Sequence, residues 1–224
     1  MTIERSNLLF LTRIFVLTLG VYCAASISAE AQSTPVSGPL PLMDREKEIA
    51  LALSSCPQSV ASNAAVYVLE KPGYAKVRNG KNGFTAIVQH VTPDSQEPQC
   101  MDAEGARTFL PRIMKVAEMR AQGKSAEEIQ AFLSGPTAKG IFPAPAHPGV
   151  IYMLSSQNLL PGGKGVIFPP HVMFYGTHLT NADLGVDNTD RDANGNPRGP
   201  SFVVSEGTPY ALIIVPVAAH TAGH

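Results

Sequence analysis

Tyr210-Ala211-Leu212-Ile213-Ile214-Val215-Pro216-Val217 decides the fold. It lies within the longest run beyond residue 31 that has no charged or amide side chain. A strand with one wet face alternates apolar and polar residues, and this stretch does not, so the reading covers both of its faces. Its short length and Ile-Ile-Val centre favour a strand over a buried helix. Pro216 has no N–H to give to a ladder, so regular pairing is expected to weaken there. The partner expected beside it is His171-Val172-Met173-Phe174-Tyr175, a second β-rich run.

Working outward, the strands fall into groups with helices between the groups. Val66 to Leu69, Tyr74 to Arg78 and Phe84 to Val91 read as a three-strand meander. Pro72-Gly73 and Asn79-Gly80-Lys81-Asn82-Gly83 supply its turns. Thr92 to Gln99 reads as a polar loop with two prolines. Gly149 to Leu154, Val166 to Phe168 and Ser201 to Val204 complete the strands, the last as an edge.

Three helices carry capping signals. Asp44 opens one that runs to about Ser55, with Ile49, Leu53 and Cys56 as its apolar face and Pro57 as its stop. Asp102 opens another, which Pro111 kinks or divides, with Phe109, Ile113, Val116 and Ala117 as its stripe. Ser125-Ala126-Glu127-Glu128 is a capping box for a third, which buries Ile129, Phe132 and Leu133. No strict strand–helix–strand alternation is present. The fold class is therefore α+β: a single domain over residues 44–217, with a mainly antiparallel sheet of about five to seven strands and helices packed on one side.

The chain has 224 residues, with 17 Lys and Arg against 18 Asp and Glu. Arg5 and Arg13 precede and abut the apolar run from Ile14 to Ala25, and Ser28-Ala29-Glu30-Ala31 offers an Ala-x-Ala cleavage site. Residues 1–31 are read as a signal peptide, 32–43 as a flexible lead-in and 218–224 as a loose tail. The alternative for the first segment is an uncleaved membrane anchor. Beyond it no stretch approaches the ~20 apolar residues of a membrane-spanning helix. An exported chain, periplasmic or secreted, is the expectation. Lys and Arg do not cluster, which argues against a nucleic-acid partner. Cys56 and Cys100 are the two cysteines left after cleavage, and an oxidising compartment favours a bridge over two free thiols.

Asn82-Gly83-Phe84-Thr85, Asp102-Ala103-Glu104-Gly105-Ala106-Arg107, Pro170-His171-Val172-Met173-Phe174-Tyr175 and Glu206-Gly207-Thr208-Pro209-Tyr210 together resemble a group of exported bacterial proteins with no assigned function. The resemblance covers about residues 45–217. It implies export and one domain, and it implies no activity.

Four patterns are candidates for chemistry. Asp190-Arg191-Asp192-Ala193-Asn194-Gly195-Asn196 matches the opening of a calcium loop, so Asp190, Asp192, Asn194 and Asn196 are candidate Ca2+ ligands. The match fails at its twelfth position, where Ser201 replaces the bidentate Glu, and an ordinary solvated turn is the favoured reading. His171 and His178 could share a site with Asp183 and Glu206 only if the chain turns at Gly176, because residues an odd number apart point to opposite faces of a strand. Glu97, Asp102 and Glu104 could pair as acids, although the last two suit a helix start. Gly162-Gly163-Lys164-Gly165 lacks the spacing of a phosphate loop. G-x-S-x-G, S-x-x-K and H-E-x-x-H are absent. The leading reading is a non-enzymatic exported domain that binds a small ligand or a protein partner, with no cofactor. The alternatives are a metal-dependent or hydrolase-like enzyme built around His171, and a calcium-stabilised structural module.

Overall fold

The computed structural model describes residues 38–161, 165–186, 189, 191 and 199–217. The order along the chain begins with α1 (Arg45–Ser54), α2 (Gln58–Ala61), β1 (Ala65–Leu69), β2 (Tyr74–Arg78), β3 (Thr85–Gln89) and β4 (Glu97–Met101). It continues with α3 (Ala103–Thr108), α4 (Leu110–Ala121), α5 (Ala126–Ser134) and α6 (Pro136–Ile141). The last elements are β5 (Val150–Met153), β6 (Asn158–Leu159), β7 (Ile167–Phe168), β8 (His171–Tyr175), a 3-10 turn at Ala182–Leu184, β9 (Phe202–Val204) and β10 (Leu212–Pro216).

Eight strands form one sheet in the order β2-β1-β3-β4-β5-β8-β10-β9, one strand more than the expected range. All neighbours pair antiparallel except β1 and β3, which are parallel. A small second sheet joins β6 to β7. The class is α+β, as the grouping of strands and helices indicates. β10 lies between β8 and β9, with Ile214 opposite Met173 on one side and Phe202 on the other. Pairing does not fade at Pro216: it faces His171, and the Val217 N–H donates to the Pro170 carbonyl at 3.0 Å.

The meander is corrected. β2 and β3 do not pair; β1 sits between them. The turn at Asn79–Gly83 carries the chain across the start of β1, where Lys81 N–H donates to the Asn63 carbonyl at 2.7 Å. Gly80 lies so close to the Ala65 backbone that a Cβ there would collide with the Ala65 nitrogen. A turn-forming sequence fixes a reversal, and it does not fix which strand lies next door.

The loop expected over Thr92–Gln99 is also corrected, because Glu97–Met101 is the central strand β4. Its alternation was present in the sequence, with Glu97, Gln99 and Met101 on one face and Pro98 and Cys100 on the other. Polar residues occupy an interior face here, which disguised it.

Helices pack on both sides of the sheet, not one. Side-chain parity shows this within β3: Ala86 and Val88 join Leu51 and Ala52 of α1, whereas Ile87 joins Leu110 and Ile113 of α4. The face α1 buries is Glu48, Leu51 and Ala52, with Cys56 beyond its end; Ile49 and Leu53 are only half-buried. α1 covers β1, β3 and β4 and stops there. At the far end of that same face Ile213 and Val215 are half-buried and Phe174 is 44% exposed, so β10 is not covered on both faces. Only Ile214 of its five residues is buried.

Local signals held where capping geometry governs. Asp44 accepts from Lys47 N–H and Asp102 from Gly105 N–H, and the capping box of Ser125 and Glu128 closes in both directions. The chain breaks between α3 and α4 next to Pro111. Cys56 and Cys100 are joined by a disulfide that ties the end of α1 to β4.

Candidate functional site

The face of the sheet turned toward α4 is not fully filled. Between them is a cavity of about 460 Å³. Its floor comes from alternate residues of five strands: Ile151 and Met153, Met173, and Leu212 and Ile214, with Gln89, Glu97 and Gln99 at the β3–β4 end. Its roof is Phe109, Ile113 and Val116 with Leu133 of α5. These positions are the apolar stripe of α4 and one side of α5, so the helices' own periodicity shapes the roof. A volume of this size suits a small molecule.

Polar side chains enter in a row. Gln89 pairs with Glu97 across β3 and β4. The antiparallel bridge between Gln96 and Leu159 brings Asn158 opposite Glu97 on the other side. Gln99 Nε2 donates to Gln89 Oε1 at 2.7 Å. Asn158 is completely buried, and its Nδ2 donates to the carbonyls of Ser155 (2.7 Å) and Met153 (3.3 Å). That use of both amide hydrogens fixes the orientation of the group. Asn158 Oδ1 and Glu97 Oε1 are buried and have no hydrogen-bond partner among the described residues. Burial without a compensating cation pushes the Glu97 carboxyl up to about 7, and a hydrogen bond from Ser95 opposes it.

His171 is buried in the same cavity at the start of β8. Its Nδ1 lies 2.9 Å from the Pro169 carbonyl, and its ring meets Phe168 edge-on at 4.8 Å. A carbonyl only accepts, so Nδ1 carries the proton and donates. Burial holds the ring's pKa below its ordinary value, which leaves it neutral with a lone pair on Nε2. On the roof side Arg112 places its guanidinium 4.1 Å from the centre of the Tyr210 ring, and the Tyr210 hydroxyl donates to the Phe142 carbonyl. Arg112 is thus seated on aromatic faces.

The expected histidine–carboxylate cluster is not brought together around His171. His178 lies beyond the other end of β8, exposed at φ 65°, with Nδ1 3.1 Å from the Gly207 carbonyl. Asp183 accepts from the N–H and the hydroxyl of Thr180, both at 2.8 Å, and closes its own turn. Glu206 accepts from Asn181 N–H, while the Asn181 side chain bonds both backbone groups of Val203. These groups hold the segment after β8 against the segment after β9. The chain does turn at Gly176, but it turns away from the cavity. Among the described residues no three His, Cys, Asp or Glu side chains are grouped as metal ligands. The proposed calcium ligands Asp190, Asp192, Asn194 and Asn196, and the glycine loop at 162–164, lie outside the described residues.

The three acids named from the sequence part company. Asp102 and Glu104 serve the start of α3; Glu104 also accepts from the Ala146 N–H and pairs with Arg107. Glu97 alone faces the cavity. Asn158, Gln89 and Gln99 were not legible as site residues. The one signal available was the polar–apolar alternation through Glu97–Met101, which has a strand's period. No protein-family model, curated protein or solved structure matches this chain.

Proposed function

We propose that the protein is an exported domain that binds a small, mostly apolar ligand in the cavity between its sheet and α4. One observation carries this reading: a cavity of about 460 Å³ lined by Met153, Met173 and Ile113 also contains two buried oxygens, on Glu97 and Asn158, that have no partner among the described residues. An apolar hollow with a few convergent polar groups is the general form of a ligand site. Unpaired buried oxygens are costly to stability, roughly 1–3 kcal/mol each, and a bound donor recovers that cost. Export is supported by the apolar run after Arg13, by the Ala-x-Ala sequence ending at Ala31 and by the bridge between Cys56 and Cys100. No helix of the described residues is long and apolar enough to cross a membrane.

Filling the roof tests the site. Val116→Trp and Leu133→Phe add volume from half-buried positions beside the cavity. Binding of benzyl alcohol, followed by calorimetry, is expected in the parent and lost in both variants, with their cooperative melting retained. Undiminished binding by folded variants would overturn the assignment. The intact mass of the exported protein tests the leader: the expected chain begins near Gln32.

A further inference from the structure

We infer that the cavity selects ligands carrying a protonated amine on an apolar body, the amine lying against Glu97 and Asn158. This rests on the cavity reading above and specifies its ligand.

The inference comes from the kinds of polar atom in the cavity. Asn158 Oδ1 is an acceptor that cannot be exchanged for the amide nitrogen, because that nitrogen is held by Met153 and Ser155. Glu97 Oε1 is a second acceptor, and the bridge at Gln96 and Leu159 sets it opposite Asn158. His171 Nε2 is a third, since Nδ1 donates to Pro169. Two of the cavity's donors are committed: Gln99 Nε2 is bonded to Gln89, and the Tyr210 hydroxyl is bonded to Phe142. The two oxygens of Glu97 and Asn158 without a partner among the described residues offer lone pairs and ask for hydrogens. An ammonium group brings three and accepts none.

Charge points the same way. Tyr74 from β2 lies close enough to Glu97 to sense its charge, His171 from β8 and Arg112 from α4 share the cavity lining with it, and Arg120 of α4 is bonded to the Val91 carbonyl. The Tyr74 hydroxyl donates to the Val88 carbonyl, and the phenol stays neutral because burial raises its pKa. His171 is neutral. Arg112 stands over Tyr210 and Phe142, and it is not among the influences that set the Glu97 carboxyl. Among the described residues no cation is paired with Glu97, and a buried carboxylate is stabilised most by a cation that also hydrogen-bonds it. Met153, Met173 and Ile151 surround the apolar remainder.

Calorimetric titration of benzylamine and benzyl alcohol at pH 8 separates shape from charge. At that pH Glu97 is mostly ionised and the amine is protonated. Benzylamine is expected to bind about tenfold or more tightly than the alcohol, the range of a charge-assisted hydrogen bond. Glu97→Gln keeps the side chain's shape and is expected to abolish the preference for the amine over the alcohol. In the parent protein the amine's affinity is expected to fall as pH drops below about 7, and by more than the alcohol's. The pH series stands on its own if the variant does not fold. Equal affinities for the two probes, or a preference that survives Glu97→Gln, would overturn the amine assignment and leave the cavity reading standing. Binding of neither probe would overturn both.

Discussion

The Tyr175 hydroxyl donates to Asp102 Oδ1 at 2.6 Å and joins residues 73 apart in sequence. The same carboxylate accepts from Gly105 N–H at Oδ1 and from Val150 N–H at Oδ2, each at 2.8 Å. One side chain thus caps α3, anchors β5 and holds the end of β8. Burial and the carboxylate beside it hold the Tyr175 pKa well above the ordinary phenol value, so the hydroxyl remains a donor at any physiological pH. Gly105 and Gly149 leave room for it, since a Cβ at either would collide with Tyr175 or Asp102.

Tyr175→Phe removes one bond and keeps the ring stacked 5.5 Å from Phe109. Asp102 retains its two backbone donors, so the cost is about 1–2 kcal/mol. Denaturant unfolding is the measurement: a lower midpoint with an unchanged slope is expected.

Gly80→Ala tests the crossing over β1. The added methyl meets the Ala65 backbone, which is held in the parallel ladder and has little freedom to move. The expected destabilisation is about 1–3 kcal/mol, as for overpacking. If β2 and β3 formed a simple hairpin, the same substitution in an exposed turn would be nearly neutral.

Reducing the bridge between Cys56 and Cys100 opens a loop with a sequence separation of 44. The chain-entropy account gives a loss of about 4 kcal/mol. A Cys56→Ala, Cys100→Ala double variant is expected to melt well below the oxidised parent, and addition of a reductant is expected to lower only the parent's midpoint.

Glu48 gives a pH signature. It is buried in α1, where Oε1 accepts from Leu69 N–H at 2.7 Å and Oε2 has no partner among the described residues. Burial raises its carboxyl from 4.5 to about 7. Between those values the folded state holds a proton that the unfolded chain has released, so this group's contribution falls as pH rises through the window. Glu97 acts with the same sign. Buried His90 and His171 act oppositely below their ordinary value of 6.5, because their lowered pKa values keep the folded state short of protons. The difference between parent and Glu48→Gln isolates the one group. The variant is expected to match the parent near pH 5 and to exceed it by about 1–3 kcal/mol at pH 8. A constant difference across the range would show that Glu48 does not hold the extra proton.

What could be read without coordinates was local. Asp44, Asp102 and Ser125 cap helices because a side-chain oxygen three residues from an unpaired N–H is specified by sequence spacing alone. The pairing of β8 with β10 followed from two apolar runs needing cover. Strand neighbours elsewhere did not follow, because the Asn79–Gly83 turn is equally good chemistry for a hairpin and for a crossing. The expected histidine–carboxylate cluster did not form for a related reason. His171, His178, Asp183 and Glu206 are conspicuous residue types, but three of them spend their hydrogen bonds on loops. Glu97 and Asn158 become notable only because each has a buried oxygen with no partner among the described residues, and partnership is a property of the folded chain.

The sequence by itself determined the α+β class, the starts of α1, α3 and α5, the break at Pro111 and the apolar β10 run, since each depends on residues within a turn or two of one another. Tertiary structure alone decided that β1 and β3 run parallel, that α1 and α4 take opposite faces, and that Glu97 and Asn158 line one cavity beneath α4. Those outcomes depend on which surfaces close against each other across long stretches of chain. Burial then turns an ordinary carboxylate into an unpaired acceptor, because it is the exclusion of water that makes its missing partner matter.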